Sequence, residues 1–229
     1  MTDKKLDEIL KQATQPEPVD PKLLDRIANS LGQTLKPVRP LPPTWVLATG
    51  IALICIAVAL AGAVLSNFHG LEKLDTLQRA VLFPALAVLI GLAASRCVAE
   101  FIPGSRRRIP AGGLMTGASL ALLASFAFLF RDYQTDRFVS QGMVCLMVGL
   151  FYALLASAAS WLILRRCWAV SPATAGLSLG TLASLAGVSM LELHCPNFQA
   201  LHVIFWHTAV IPVGAAIGSV LATLFRPTR

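Results

Sequence analysis

The sequence predicts an all-α membrane protein, a bundle of six transmembrane helices preceded by a short helical N-terminal tail. Three observations carry this. Apolar residues make up 55% of the chain and charged residues 14%, against about 25% charged in an ordinary soluble domain. Mean hydropathy is +0.68. From Thr44 to Phe225 the apolar residues fall in six stretches, each near the ~20 residues a helix needs to cross a hydrocarbon core of about 30 Å. Residues 1–43 are the expected cytoplasmic tail and residues 44–229 the membrane domain.

In the tail, Leu6, Ile9, Leu10 and Ala13 recur at helical spacing behind Thr2 and Asp3, which suit a cap. A second helix is better marked. Asp20 takes the N-cap, Pro21 the first helical position, and Leu23, Leu24, Ile27, Leu31 and Leu35 follow on an apolar face. The string QPEPV separates the two segments, and KPVRPLPP leads stiffly into the first span. The opening MTDKKLDEILKQ has no uninterrupted apolar core, so no secretory leader is expected. A tail near the ~40-residue limit cannot bury a core of its own, so its apolar stripes must pack elsewhere. The choices are the membrane surface or the groove of a soluble partner. Six acids against seven bases give little pull toward anionic lipid. That favours a partner, with Leu23, Leu24, Ile27 and Leu31 as the contact face.

The expected spans are Thr44–Ser66, Ala80–Ala99, Gly113–Phe130, Met143–Leu164, Ala173–Leu191 and His202–Phe225. Pro84 and Pro212 can kink the second and sixth. Gly and Ser recur through the third, fourth and fifth (Gly117, Gly149, Gly176, Gly180, Ser184 and Gly187 among them), which lets helices approach closely in lipid. Trp45, Trp161 and Trp168 fall near span ends, where indoles anchor at the interface.

Charge sets the orientation. Arg96, Arg106, Arg107, Arg108, Arg165, Arg166, Arg226 and Arg229 lie on one side, eight against the four of Lys73, Arg79, Arg131 and Arg137 on the other. The positive-inside rule puts the eight, and both termini, in the cytoplasm. The net charge of +7 is thereby a matter of topology, and no direct nucleic-acid binding is expected. The span centres carry no Asp, Glu, Lys or Arg, which disfavours a small-solute transporter. No Ser-His-Asp pattern, phosphate loop or embedded carboxylate pair supports an enzyme.

Cys55, mid-span, and Cys97 and Cys167, at the cytoplasmic side where thiols stay reduced, read as small apolar fillers. Cys145 falls at the outer end of the fourth span and Cys195 in the outer loop between the fifth and sixth, at similar depth, so a disulfide or a thiol sensor fits there. Around Cys195 the string LELHCPNFQALHVIFWH gathers Glu192, His194, His202, Trp206 and His207. His202 and His207 are five apart, which on a regular helix rotates them off a common face. The spacing therefore predicts no metal site and no cofactor, with each polar group bonded to backbone or water at a helix end. A redox or metal sensor at Cys145 and Cys195 is the sharper alternative. A membrane thiol oxidoreductase would need a second exposed pair or a shuttling partner, and no CxxC is present.

Four features carry a resemblance: VRPLPP before the first span, Cys145-Leu146 opening the fourth, His194-Cys195-Pro196 after the fifth, and Trp206-His207 in the sixth. On these, residues 36–229 resemble the negative-regulator-of-sigma-F proteins, six-span anti-sigma factors of the bacterial inner membrane. The resemblance implies that the cytoplasmic N-terminus holds an extracytoplasmic-function sigma factor at the membrane and releases it on a signal. It implies a sensing or bracing role for Cys145 and Cys195. The tail ahead of VRPLPP is longer than the family leads one to expect, which suits a partner of its own.

Overall fold

The computed structural model describes residue 5 and residues 20–34, 41–105, 109–134 and 137–225. The first tail segment (Leu6, Ile9, Leu10, Ala13), Leu35, the first three residues of VRPLPP, Arg106–Arg108, Asp136, Arg226 and Arg229 lie outside them. The chain divides into two units, Met1–Leu41 and Pro42–Arg229.

In the first unit, α1 (Pro21–Thr34) starts where Asp20 predicts. The Asp20 carboxylate accepts from the Lys22 amide at 2.9 Å, and its carbonyl accepts from Leu23 and Leu24. The 3.6-residue period puts Leu23, Leu24, Ile27 and Leu31 along one side, and they are 46–56% exposed.

Among its described residues the second unit has helices as its only regular elements: α2 (Thr44–Ser66), α3 (His69–Lys73), α4 (Thr76–Phe101), α5 (Ala111–Leu129), α6 (Phe138–Leu164), α7 (Pro172–His194) and α8 (Ala200–Leu224). All but α3 are long and apolar enough to cross a membrane. α2 has the expected bounds. The other spans begin one to five residues earlier than hydropathy suggests; at the second and fourth the added first turns carry polar residues such as Gln78, Arg79, Ser140 and Gln141, which hydropathy leaves out of the span. At α4 the Asp75 side chain accepts from the Gln78 amide at 2.7 Å while Gln78 Oε1 accepts from the Asp75 amide at 2.9 Å, a reciprocal cap that fixes the start.

The helices do not share burial equally. In α7, 83% of the most apolar window is buried, against 22% in α5 and α6. α7 packs against every other helix of the unit. Its small residues allow this. A Cβ on Gly176 or Gly180 would strike the carbonyls of Gly218 and Gly214, and one on Gly187 the carbonyl of Gly149. So α7 meets α8 backbone to backbone along the antiparallel pairs Gly176/Gly218 and Gly180/Gly214, and meets α6 at Gly149. The outside of the bundle carries large apolar side chains such as Leu53, Leu92, Leu120, Phe128, Phe151 and Leu162, a continuous apolar surface that suits lipid and not water. Trp45, Trp161 and Trp168 are exposed at or beyond span ends, as interfacial anchors would be.

One buried ion pair ties the arginine-rich end together. Arg96 bonds Glu100 one turn on and also the Ile109 carbonyl, and Glu100 accepts from the Thr174 hydroxyl at 3.3 Å. α4, the start of α5 and the start of α7 are thereby joined.

Candidate functional site

At the opposite end of the bundle the loop from Cys195 to Gln199 folds back onto three neighbours. Lys73 Nζ of α3 donates to the Pro196 carbonyl at 2.8 Å, and Asn197 Nδ2 donates to Gln141 Oε1 of α6 at 2.7 Å. The Ala200 amide donates to the Asp132 carbonyl at 2.5 Å. Gly70 lets α3 seat directly on the carbonyls of Glu192 and Cys195, where a Cβ would collide. This loop is therefore held in place, and it carries Cys195 to α6.

Cys145 Sγ and Cys195 Sγ lie 3.5 Å apart, both as free thiols. Their proximity agrees with the equal depth read from the sequence. Cys195 Sγ is also 3.7 Å from His202 Nε2. The Cys195 thiol is held above its usual range, chiefly by its hydrogen bond with Cys145 and then by burial.

The spacing argument about His202 and His207 is corrected by the backbone. Five residues of regular α-helix would leave the two rings about 140° apart around the axis. Instead Val203–His207 forms a π-helical turn, whose i→i+5 bonding stacks residues five apart. The two rings face the same way, with centroids 5.3 Å apart, and both residues are fully buried. Cys145, Cys195, His202 and His207 thus bring one ligand-competent atom each to within 4.8 Å of one another.

Glu192 belongs to this cluster, although its place near the end of its span suggested an ordinary helix-end group. Its side chain is fully buried on α7, and Oε1 meets His207 Nδ1 at 2.6 Å. That bond fixes the His207 ring and leaves its Nε2 without a hydrogen-bond partner. Nothing local in the sequence marks the pair, since the partners sit on different helices on either side of a loop.

The remaining sequence candidates divide. His194 takes the plain role expected of a helix-end group: its Nδ1 pairs with the Asn67 carbonyl at 3.0 Å and its ring lies beside His69. Trp206 packs its indole over Gly142 and beside Phe138, outside the cluster. Leu23, Leu24, Ile27 and Leu31 sit on α1, in the other unit. An open cavity of about 1240 Å³, lined by Lys73, Gln78, Gln141, Cys145, Cys195 and His202 among others, gives access to the sulfurs.

No curated protein and no solved structure matches the chain. A family model does, over residues 31–226, and its description is negative regulator of sigma F. The match takes in all six spans and the whole cluster, begins at Leu31, and leaves most of the α1 face ahead of it. The chain belongs to the negative-regulator-of-sigma-F family.

Proposed function

We propose that this protein is an inner-membrane anti-sigma factor of the extracytoplasmic-function class, with both termini in the cytoplasm and the cysteine cluster on the outer face. The observation that carries this is an exposed apolar side on a capped helix, α1, ahead of a membrane bundle of this family. Ile27 and Leu31 lie three and seven residues beyond Leu24, and Ile27 four beyond Leu23, the spacing by which a helix fills a groove, here on the sigma factor. The six spans hold that helix at the membrane. The Cys145–Cys195 end receives the signal, because it is where α6, α7 and α8 are joined by side chains and not only by packing.

The test uses the full-length protein in lipid nanodiscs and the sigma factors of its host, beginning with any encoded beside it. Capture is expected, and Leu24→Asp or Ile27→Asp should each remove about 2 kcal/mol or more, roughly 30-fold in Kd. Failure of the intact protein to bind any sigma factor of its host would retire the reading.

The 3.5 Å thiol separation favours a second, redox reading of the outer end. Closing a disulfide would bring the sulfurs to about 2 Å, releasing two protons and passing two electrons to an extracytoplasmic thiol oxidant. Loss of two alkylatable thiols on exposure to that oxidant is the outcome that supports it.

A further inference from the structure

We infer that Cys145, Cys195, His202 and His207 form a binding site for a thiophilic, tetrahedrally coordinated d10 cation, oriented by Glu192 from behind; this rests on the reading of the outer cluster as the signal-receiving end. The donor set is two sulfurs and two imidazoles, the S2N2 combination that tetrahedral zinc takes. The spacing also fits. Metal–sulfur bonds of about 2.3 Å and metal–nitrogen bonds of about 2.0–2.1 Å put tetrahedral neighbours about 3.4–3.8 Å apart. The sulfurs are 3.5 Å apart, and Cys195 is 3.7 Å from His202 Nε2. All four atoms already lie within 4.8 Å, so closure asks for small side-chain movements.

Three further features point to a ligand and not to a packed thiol pair. His207 is bonded at Nδ1 to the Glu192 carboxylate, while its buried Nε2 has no hydrogen-bond partner. This is the carboxylate–histidine arrangement that fixes the tautomer and ring angle of a metal ligand. The π-turn at Val203–His207 puts an otherwise averted histidine beside its partner, and such turns recur at functional positions. The cavity reaches Cys145, Cys195 and His202, which supplies an entry path.

On binding, two S–H bonds break and two metal–thiolate bonds form. Two protons leave to water, and the imidazoles bind through neutral nitrogens. No electrons move. The ion would then link α6, the α7–α8 loop and α8 through their side chains, with α7 braced through Glu192.

The experiment takes the full chain in nanodiscs, reduced and stripped of metal, and offers Zn2+ with elemental analysis as the readout. One zinc per chain is expected, with both Cys145 and Cys195 protected from maleimide. Co2+ in its place should give thiolate-to-metal charge-transfer absorption. Cys145→Ser and His202→Ala should each lose the tightly held ion. Glu192→Gln should weaken binding about 10–100-fold without abolishing it. Cys145 is partly exposed, so its serine variant keeps the test alive if a buried histidine variant fails to fold. A reduced wild-type chain with two reactive outer thiols and no bound zinc overturns the assignment. So does unchanged retention in folded His202→Ala, which would reduce the site to a dithiol. Capture of the sigma factor by a preparation that binds no zinc removes the cation and leaves the regulatory reading. Zinc retention without any sigma capture upholds the site and removes that reading instead.

Discussion

Glu192 is the residue on which the cysteine end turns. A carboxylate inside a span costs free energy unless it is paired, and here it faces His207 at 2.6 Å with both side chains at 0% exposure. Removing one partner of such a pair leaves the other buried and uncompensated, a loss of about 3–5 kcal/mol. Glu192→Ala should therefore unfold at markedly lower denaturant than wild type in reconstituted membranes, while Glu192→Gln, which still accepts at its amide oxygen, should lose less. An alanine variant as stable as wild type would mean that the pair contributes nothing. Sequence reading reached Cys145 and Cys195 because two segments of equal depth constrain where their residues lie. It could not reach Glu192–His207, because spacing along one helix does not report a contact made across a loop to the next.

At the scale of elements, the π-turn in α8 is what a regular period hides. The run VIFWH contains neither Gly nor Pro, so nothing local announces the departure from 3.6 residues per turn. The turn acts as one extra residue inside an α-helix. Deleting Phe205, which is exposed, should remove that residue, leave the downstream register intact, and place the two histidines four apart, still on one face. Adding one alanine after Phe205 should instead rotate His207 away by about 100°. The deletion variant should keep Cys145 and Cys195 close enough for oxidant-induced crosslinking and should bind zinc near wild-type stoichiometry. The insertion variant should bind none. Equal behaviour of the two would show that the turn has no part in the site. The α1 helix is the opposite case. Asp20, Pro21 and a run of Leu and Ile on one side are all local signals, and the structure keeps them.

Over the whole molecule, hydropathy and burial run opposite to a soluble protein. α7 is the most buried span yet has the lowest mean hydropathy, 1.4, while α2 reaches 2.5. In lipid the outer helices gain from large apolar side chains, and the central helix gains from small ones that admit close neighbours. Six spans and their order were therefore legible from composition, and the Gly and Ser of the third, fourth and fifth spans marked close packing without singling out the fifth as central. Which helix each glycine touches was not legible, because small residues mark a contact without naming the partner. Gly187 shows the consequence. Its Cα faces the Gly149 backbone carbonyl of α6, which cannot move aside as a flexible side chain would. Gly187→Leu should push α6 from α7, at a cost in the upper part of the 1–3 kcal/mol range for overpacking or beyond. Because Cys145 lies on α6 one turn from Gly149, the same change should separate it from Cys195. Gly91→Leu on α4, where an added side chain meets open space, is the matched control and should fold and crosslink like wild type. Induced Cys145–Cys195 crosslinking, read by the loss of maleimide-reactive thiols, should fall sharply in the first variant and stay unchanged in the second. Equal crosslinking in both would mean that helix spacing at the centre of the bundle does not govern the cluster at its end, and that the proposed signal has no route from the outer face into the packing of α6 on α7.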